Sequence, residues 1–189
     1  MSKQITKSEA VDQIFSMFES YGHGDYDGEA VTLNEHLLQA AYAAEQAGED
    51  DIMVAACLLH DYGDFILRMN GRINDHSVDT RHEHLGANAL RRFFGPEVTE
   101  LVRSHVLAKC YLCHQEGYER VLSPISQISL QHQGGPLTGA DAAAFERSEW
   151  FERALQLHRY DDSAKKAGMV TPHREHYRTM LESLVVTSG

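Results

Sequence analysis

Histidine and aspartate occur in this chain at positions from which they could hold metal ions. The sequence contains 12 histidines among its 189 residues. The candidate ligands, in chain order, are His36, His60, Asp61, His82, His105 and Asp161. Imidazole supplies a neutral nitrogen donor, and a carboxylate can bridge two cations and lower their mutual repulsion. Residues of these two types, drawn from five segments, therefore predict a buried metal cluster.

Each candidate ligand lies on an apolar stripe or at the end of an apolar segment. Residues three, four and seven positions apart share one face of a helix, and His36 aligns in this way with Leu33 and Ala40. The pair His60-Asp61 closes the most apolar stretch of the chain, where an ionised carboxylate is costly unless it is paired or metal-bound. A single histidine on an apolar face is more often a hydrogen-bonded core residue than a ligand, so the prediction depends on the whole set.

The segments that must position these residues have the pattern of helices. Only four prolines occur, and no sustained alternation of polar and apolar residues indicates strands. Thr32 with Glu35, and Thr80 with Glu83, have the spacing of a capping box at a helix start. Helices are expected at 7–20, 32–46, 51–60, 80–95, 96–112, 141–147, 148–161 and 174–185.

The remaining segments are expected to be irregular. They are 21–29, which holds three glycines, the polar connection 66–79, and a tight turn at 133–136. Gly63 is expected to end the third helix, so that the adjacent side chains of His60 and Asp61 can both reach one site. The chain is thus expected to be all-α, and its length predicts a single domain.

The composition argues against several classes of partner. The formal net charge is −11, which disfavours binding to nucleic acid or to an anionic membrane surface. No segment has the apolar run of a signal peptide or of a membrane span. Three cysteines, Cys57, Cys110 and Cys113, do not make a disulfide framework. We therefore expect a cytoplasmic protein, and no oligomeric state is predicted.

The order of the candidate ligands, H…HD…H…H…D, resembles that of the HD-domain superfamily. Local strings are similar too, namely DYDGE at 25–29, LLHDYGD at 58–64, RHEHLGANAL at 81–90, HVLAK at 105–109, HQGGP at 132–136 and RYDD at 159–162. Together they resemble one subgroup, the mixed-valent diiron oxygenases that cleave 1-hydroxy-2-aminoethylphosphonate or its N-trimethyl analogue. The resemblance covers roughly residues 20 to 180 and implies one HD-domain helical bundle across 1–189.

This resemblance also implies a cofactor and a reaction. The six candidate ligands would hold two iron ions in a mixed Fe(II)/Fe(III) state, with Asp61 bridging them. Dioxygen would be the co-substrate. The carbon–phosphorus bond of a small phosphonate would be cleaved to give phosphate and either glycine or glycine betaine, a reaction of organophosphonate catabolism.

Five further residues match positions that the subgroup uses for its substrate. Tyr26 and Glu29 match a loop that closes over the site and moves aside for substrate. Lys109 would pair with the phosphonate oxygens, and its place one turn after His105 puts both residues on one helix face. Ser126 and Ser129 match hydroxyl positions that also bind phosphonate.

The chain departs from the subgroup at two substrate-binding positions. Asp64 stands where the subgroup has a histidine, and His158, followed by Arg159, stands where it often has an arginine. An aspartate repels a phosphonate but suits a cationic ammonium group. Our hypothesis is that Asp64 faces the amine end of the substrate, which makes the N-methylated analogue a candidate.

Three alternatives remain open at this point. A phosphohydrolase of the HD type would use the same metals to activate water against a nucleotide or a phosphomonoester, without dioxygen. The string from Cys110 to His114, C-x-x-C-H, is also a haem-attachment motif, although no export signal accompanies it. The third alternative is a metal-binding regulatory domain without catalytic activity.

Overall fold

The computed structural model of the protein describes residues 5–26, 28–72, 79–115 and 118–186. Ten α-helices run through these residues, which confirms the all-α class. They are α1 (Lys7–Tyr21), α2 (Leu33–Gln46), α3 (Asp51–Leu59), α4 (Tyr62–Met69), α5 (His82–Leu90), α6 (Pro96–Leu112), α7 (Pro124–His132), α8 (Gly139–Glu146), α9 (Phe151–Ser163) and α10 (Arg178–Leu184). Short 3-10 turns occur at Tyr118–Arg120 and Arg174–Tyr177. Within the described residues, no helix is long and apolar enough to cross a membrane.

Local sequence explains where most of these helices begin. The capping box predicted for α2 is confirmed, because the Thr32 side chain accepts from the backbone of Glu35, whose carboxylate accepts from the Thr32 backbone. The second predicted box is wrong: α5 begins only at His82, and Arg81 before it adopts a left-handed backbone with φ 52°. That conformation takes Thr80 out of the capping position.

Two helices were not predicted from the sequence. Residues 66–79 were expected to be irregular, yet α4 continues to Met69, and 73–78 lie outside the described residues. Helix α7 begins at Pro124, with the Ser123 hydroxyl accepting from the backbone of Ser126. Proline at the first position of a helix and serine before it are typical start signals.

One main apolar core joins helices from both halves of the chain. Helix α3 is its centre, because every residue from Met53 to Leu59 is buried. Side chains of α1, α2, α4, α5, α6, α9 and α10 pack in the same core. Two smaller apolar clusters pack against α6. One includes Val106 and Leu130 of α7, and the other joins α6 to α8 and α9. The metal ligands predicted from the sequence therefore come from helices that share one packed interior.

Helices α4 and α5 cross at two glycines. A Cβ atom on Gly63 would lie 2.0 Å from the carbonyl oxygen of His82, and one on Gly86 would lie 2.9 Å from the backbone nitrogen of Gly63. Gly63 therefore does not end a helix, as the sequence suggested, but allows α5 to approach α4 closely. This close approach brings His82 next to Asp61.

Candidate metal centre

His60 and Asp61 occupy the junction between α3, which ends at Leu59, and α4, which begins at Tyr62. Both side chains are buried, with exposed fractions of 0% and 2%. Along a regular helix, adjacent side chains point about 100° apart. The break between the two helices is what allows these two neighbours to face the same site.

The six predicted ligands come together in two adjoining groups. One group consists of His36, His60 and Asp161, and the other consists of Asp61, His82 and His105. Within the first group, the Nε2 atoms of His36 and His60 are 3.0 Å apart. In the second, the Nε2 atoms of His82 and His105 are 3.1 Å apart. Each group offers two imidazole nitrogens and one carboxylate to a single ion.

Asp61 belongs to the second group but also faces the first, and it presents one carboxylate oxygen to each. Its Oδ2 is 3.6 Å from His36 Nε2 and 3.4 Å from His60 Nε2. Its Oδ1 is 3.2 Å from His82 Nε2 and 3.4 Å from His105 Nε2. This is the arrangement of a carboxylate that bridges two cations.

Hydrogen bonds at the far side of the imidazole rings fix which nitrogens can bind metal. The Nδ1 atoms of His36, His60 and His105 lie 2.9, 2.8 and 2.7 Å from the carbonyl oxygens of Ala164, Cys57 and Val102. A carbonyl only accepts, so each Nδ1 carries the proton and each neutral ring turns an Nε2 lone pair inwards. Lone pairs that face one another at about 3 Å repel unless a cation or a proton lies between them. The donor set therefore fits metal ions.

The charges in the cluster show how strongly this space favours cations. Burial disfavours the charged form of His60, but Asp61 and Asp161 raise its pKa to about 9. Burial likewise opposes a charge on His82, and Asp64 and Asp61 raise its pKa to about 10. Burial also opposes ionisation of Asp61, yet His60 and His105 hold its pKa well below the usual value. Protons thus occupy the positions that metal ions would take.

Tyr26 covers the first group of ligands. Its hydroxyl donates to Asp61 Oδ2 over 2.6 Å, and its ring stacks on that of His36 with centroids 4.3 Å apart. Tyr26 and Glu29 belong to one loop, the Tyr26 loop, and a β-bridge between Asp25 and Thr32 attaches this loop to the start of α2. Tyr26 was predicted as a loop residue at the site, and the structure places it directly against two of the ligands.

A cationic region lies in the same cavity. Lys109 and Lys165 both line it; Lys109 Nζ donates to Ser129 Oγ over 2.9 Å, and Lys165 Nζ donates to Ser126 Oγ over 2.8 Å. Burial lowers the pKa of Lys109. Burial also opposes a charge on Lys165, but nearby carboxylates, Asp161 first among them, raise its pKa. The cavity can therefore accept an anion at these two lysines.

Lys165 was not identified from the sequence. It follows α9 in a stretch that has no resemblance to a motif, and only its distance of four residues from Asp161 connects it with the site. In the structure its Nζ is 3.5 Å from Glu29 Oε1, and the Ser123 hydroxyl donates to the same oxygen. The carboxylate of the Tyr26 loop thus occupies part of the cationic region.

Of the three remaining residues predicted to contact substrate, only one lines the cavity. Asp64 is buried, with an exposed fraction of 3%, and lines the cavity. His158 is buried but faces Asp161 and Asp162 rather than the cavity. Arg159 is exposed, and its guanidinium contacts Gln156. The positions of His158 and Arg159 therefore give no support for direct contacts with substrate.

The C-x-x-C-H string does not have the surroundings of a haem site. Cys110 and Cys113 are buried near the end of α6, in an apolar cluster with Val106 and Leu130. The Cys110 thiol lies 3.9 Å from the backbone oxygen of Gln133. Thioether bonds to a haem would require both sulfurs to be accessible, so this string is a packing element.

Comparisons with known proteins agree with the geometry of the site. The HD-domain family model matches residues 33–133. The chain is 36% identical over 183 residues to the 1-hydroxy-2-(trimethylamino)ethylphosphonate dioxygenase (glycine-betaine-forming) of Leisingera caerulea, covering 96% of this chain and 93% of that relative. It is 39% identical over 185 residues to the hydroxymethylphosphonate dioxygenase of Gimesia maris, covering 97% of this chain and 92% of the relative. The similarity to these two proteins thus extends over nearly the whole chain.

Proposed function

The chain belongs to the HD-domain family and, within it, to the phosphonate dioxygenases, and on that premise we propose that it acts on 1-hydroxy-2-aminoethylphosphonate or its N-trimethyl analogue. It is an enzyme of oxidative carbon–phosphorus cleavage. In the proposed reaction the substrate is oxidised by dioxygen to phosphate and glycine or glycine betaine, and the two groups of ligands would hold the mixed-valent pair of irons that supplies the redox chemistry. The observation that carries the proposal is Asp61, which lies between two groups of imidazoles in a cavity that Lys109 and Lys165 also line.

The lysines and two serines of α7 would bind the phosphonate. Lys109 and Lys165 offer two ammonium groups, and Ser126 and Ser129, which now accept hydrogen bonds from them, offer two hydroxyls. Hydrogen bonds between ionised partners are about twice as strong as neutral ones. A doubly charged phosphonate at this position would lie near Asp161, whose negative charge does more than that of any other carboxylate to raise the pKa of Lys165.

Asp64 would select the other end of the substrate. Its carboxylate lines the cavity and contributes to the raised pKa of His82, so its negative charge acts close to the second group of ligands. A carboxylate attracts an ammonium group and repels a phosphonate, and this difference would orient a substrate that carries both. The hydroxymethylphosphonate named for one relative has no such cation.

The Tyr26 loop would make room for substrate and then exclude water. Glu29 has to leave Lys165 before a phosphonate can take its place, because one ammonium group cannot hold both anions in the same position. Bound metal would supply Lewis acidity and redox chemistry for dioxygen. The residues of the chain supply position, charge and exclusion of solvent.

Phosphate release from iron-loaded protein tests the proposal. The protein is loaded anaerobically with Fe(II) and given the amino, trimethylammonio and hydroxymethyl phosphonates separately, with and without dioxygen. Release that requires dioxygen and is fastest with one of the two amines is expected. No release from any of the three phosphonates, together with dioxygen-independent release from a phosphomonoester, would instead favour the phosphohydrolase alternative. A preference for hydroxymethylphosphonate would contradict the proposed amine.

Substitution of Asp64 tests the selectivity separately. We expect Asp64→Asn to lower kcat/KM for the amino substrate by about 10-fold, since a hydrogen bond to a charged group contributes about 1.5–3 kcal/mol. The trimethylammonio substrate has no N–H donor, so it should lose only the charge attraction, and hydroxymethylphosphonate turnover should change much less. Asp79→Asn is the matched control, because Asp79 also lines the cavity but is exposed. An equal loss on all three substrates would contradict a role for Asp64 in amine recognition.

A further inference from the structure

His158 lies behind the metal ligand Asp161 on the same helix face. It is almost fully buried, with an exposed fraction of 1%, and precedes Asp161 and Asp162 by three and four residues in α9. Residues at these separations are neighbours on a helix surface. The side chain of His158 therefore stands between two carboxylates in the interior, out of reach of the cavity.

The two oxygens of Asp161 face different partners. Oδ1 lies 3.3 Å from His36 Nε2 and 3.8 Å from His60 Nε2, within the first group of ligands. Oδ2 lies 3.0 Å from His158 Nδ1. If that oxygen is held by His158, Asp161 can offer only Oδ1 to a metal ion. The carboxylate would then occupy one coordination position rather than two.

A second set of contacts fixes His158 from the other side. Its Nε2 lies 3.3 Å from Asp162 Oδ2, and the Tyr118 hydroxyl donates to the same oxygen over 2.6 Å. Tyr118 comes from the 3-10 turn after α6, so these contacts connect α9 with another part of the chain. Neither contact of the His158 ring has the alignment of a full hydrogen bond, but both ring nitrogens lie within about hydrogen-bond distance of a carboxylate oxygen.

His158, Asp161 and Asp162 could also be a metal site of their own, since their donor atoms lie close together. The geometry argues against this. The two ring nitrogens face different carboxylates, and a single ion can bind only one nitrogen of an imidazole. An imidazole that contacts a carboxylate with each nitrogen suits a fixed link between them better than a ligand.

We infer that His158 is the positioning residue of Asp161, holding Oδ2 so that Oδ1 alone binds the metal ion shared with His36 and His60. The inference rests on the metal pair of the proposed function but not on the phosphonate substrate. Groups that orient metal ligands typically contribute about 10- to 100-fold to metal affinity. Loss of His158 should therefore weaken one of the two ions and leave the other unchanged.

Cobalt binding to the metal-free protein tests this without any turnover. Co(II) is titrated into the unsubstituted protein, His158→Asn, His158→Gln and His158→Leu, and the visible absorption of the bound ion and the heat of binding are followed. The amide nitrogen of asparagine can replace Nδ1, whereas that of glutamine replaces Nε2. We expect two ions in the unsubstituted protein, one of them bound about 10- to 100-fold more weakly in the Gln and Leu variants, and affinity close to normal in the Asn variant.

The ion held by Asp61, His82 and His105 is an internal control, because general damage to the fold would weaken both ions. Thermal unfolding of each metal-free variant gives a second control. Unchanged binding of both ions in His158→Leu would overturn the inference while leaving the metal pair intact. Binding of three ions that falls to two in that variant would overturn it as well, because His158 would then be a ligand. Absence of cobalt binding by the unsubstituted protein would overturn the metal pair and this inference together.

Discussion

Three of the four histidines in the candidate metal centre have their ring orientation set by the backbone. The sequence predicted which histidines belong to the site, because their spacing and their apolar neighbours are visible along the chain. It could not predict the partners of their Nδ1 atoms. Two of these carbonyls, at Cys57 and Val102, lie three residues before the histidine they fix, but the third, at Ala164, is 128 positions from His36. Contacts of this range depend on how the helices pack.

The shifted pKa values of the same residues predict how the metal-free protein responds to pH. Burial opposes the charge on His60 and His82, yet carboxylates, including Asp61, raise their pKa values to about 9 and about 10 from 6.5 in an unfolded chain. Between pH 6.5 and 9 the folded protein keeps protons that the unfolded chain has lost. Its free energy of unfolding should therefore fall, by about 1.4 kcal/mol per pH unit for each proton retained.

Denaturant unfolding of the metal-free protein at pH 6.5, 7.5 and 8.5 measures this slope. The stabilisation is complete below pH 6.5 and is lost as the pH rises through the two raised pKa values. Asp61→Asn is the control, because its missing charge should make the slope shallower. A free energy of unfolding that rises over this range would show that the histidines are not held in the charged form.

The two lysines lead to a prediction about substrate affinity. Lys109→Met and Lys165→Met should each weaken binding of methylphosphonate by about 10- to 100-fold, because each removes a charged hydrogen-bond donor from the cavity. Lys166→Met changes the net charge equally at an exposed neighbouring position and should have little effect. Isothermal calorimetry gives the dissociation constants. If all three variants bind equally, the anion lies elsewhere.

At the scale of elements, the sequence was most informative where a local signal decides the structure. The capping box of α2 and the long apolar face of α6 involve only nearby residues, and both helices appear as predicted. Helix α4 was missed because Gly63 suggests a helix end when its surroundings are unknown. Its actual role is to allow the close approach of α5, which only the packed structure reveals.

The glycine crossing predicts a large effect from a single methyl group. Gly63→Ala would place a Cβ 2.0 Å from the His82 carbonyl oxygen. We expect the free energy of unfolding to fall by about 2 kcal/mol or more. Binding of a metal ion by Asp61, His82 and His105 should also weaken. Gly95→Ala is the matched control, because the added methyl meets only the flexible Glu97 side chain. Its cost should be at most about 1 kcal/mol. Chemical denaturation and Co(II) titration measure the two effects, and equal behaviour of both variants would contradict this role of the crossing.

At the scale of the whole molecule, the site combines residues that are far apart along the chain. Its candidate metal ligands come from α2, the α3–α4 junction, α5, α6 and α9, all of which contribute to the main core or border it. These ligands could be predicted because they recur in a recognisable order. Lys165, and the burial of His158 behind Asp161, could not, since each depends on where α9 and the residues after it lie in three dimensions.

Unequal burial predicts unequal local stability. Helix α7 buries only Ser126 and Leu130, whereas α3 buries seven residues. Helices with few buried contacts open at a lower free energy. Hydrogen exchange followed by mass spectrometry should therefore show faster exchange at 123–132 than at 53–59. Uniform exchange across both helices would contradict the prediction.

Inorganic phosphate should slow exchange in α7, because Ser126 and Ser129 would bind it. Lys109→Met should reduce that protection.

The contact between Glu29 and Lys165 bears on how the product leaves. Phosphate formed in the cavity would remain beside the ammonium groups of Lys109 and Lys165, and its slow departure would limit turnover. Glu29 is attached to the same chain, so its effective concentration near Lys165 far exceeds that of a free anion. Return of the loop would therefore displace phosphate by exchange of one anion for another. We therefore expect the contact between Glu29 and Lys165 to help clear the cavity of phosphate before the next substrate binds.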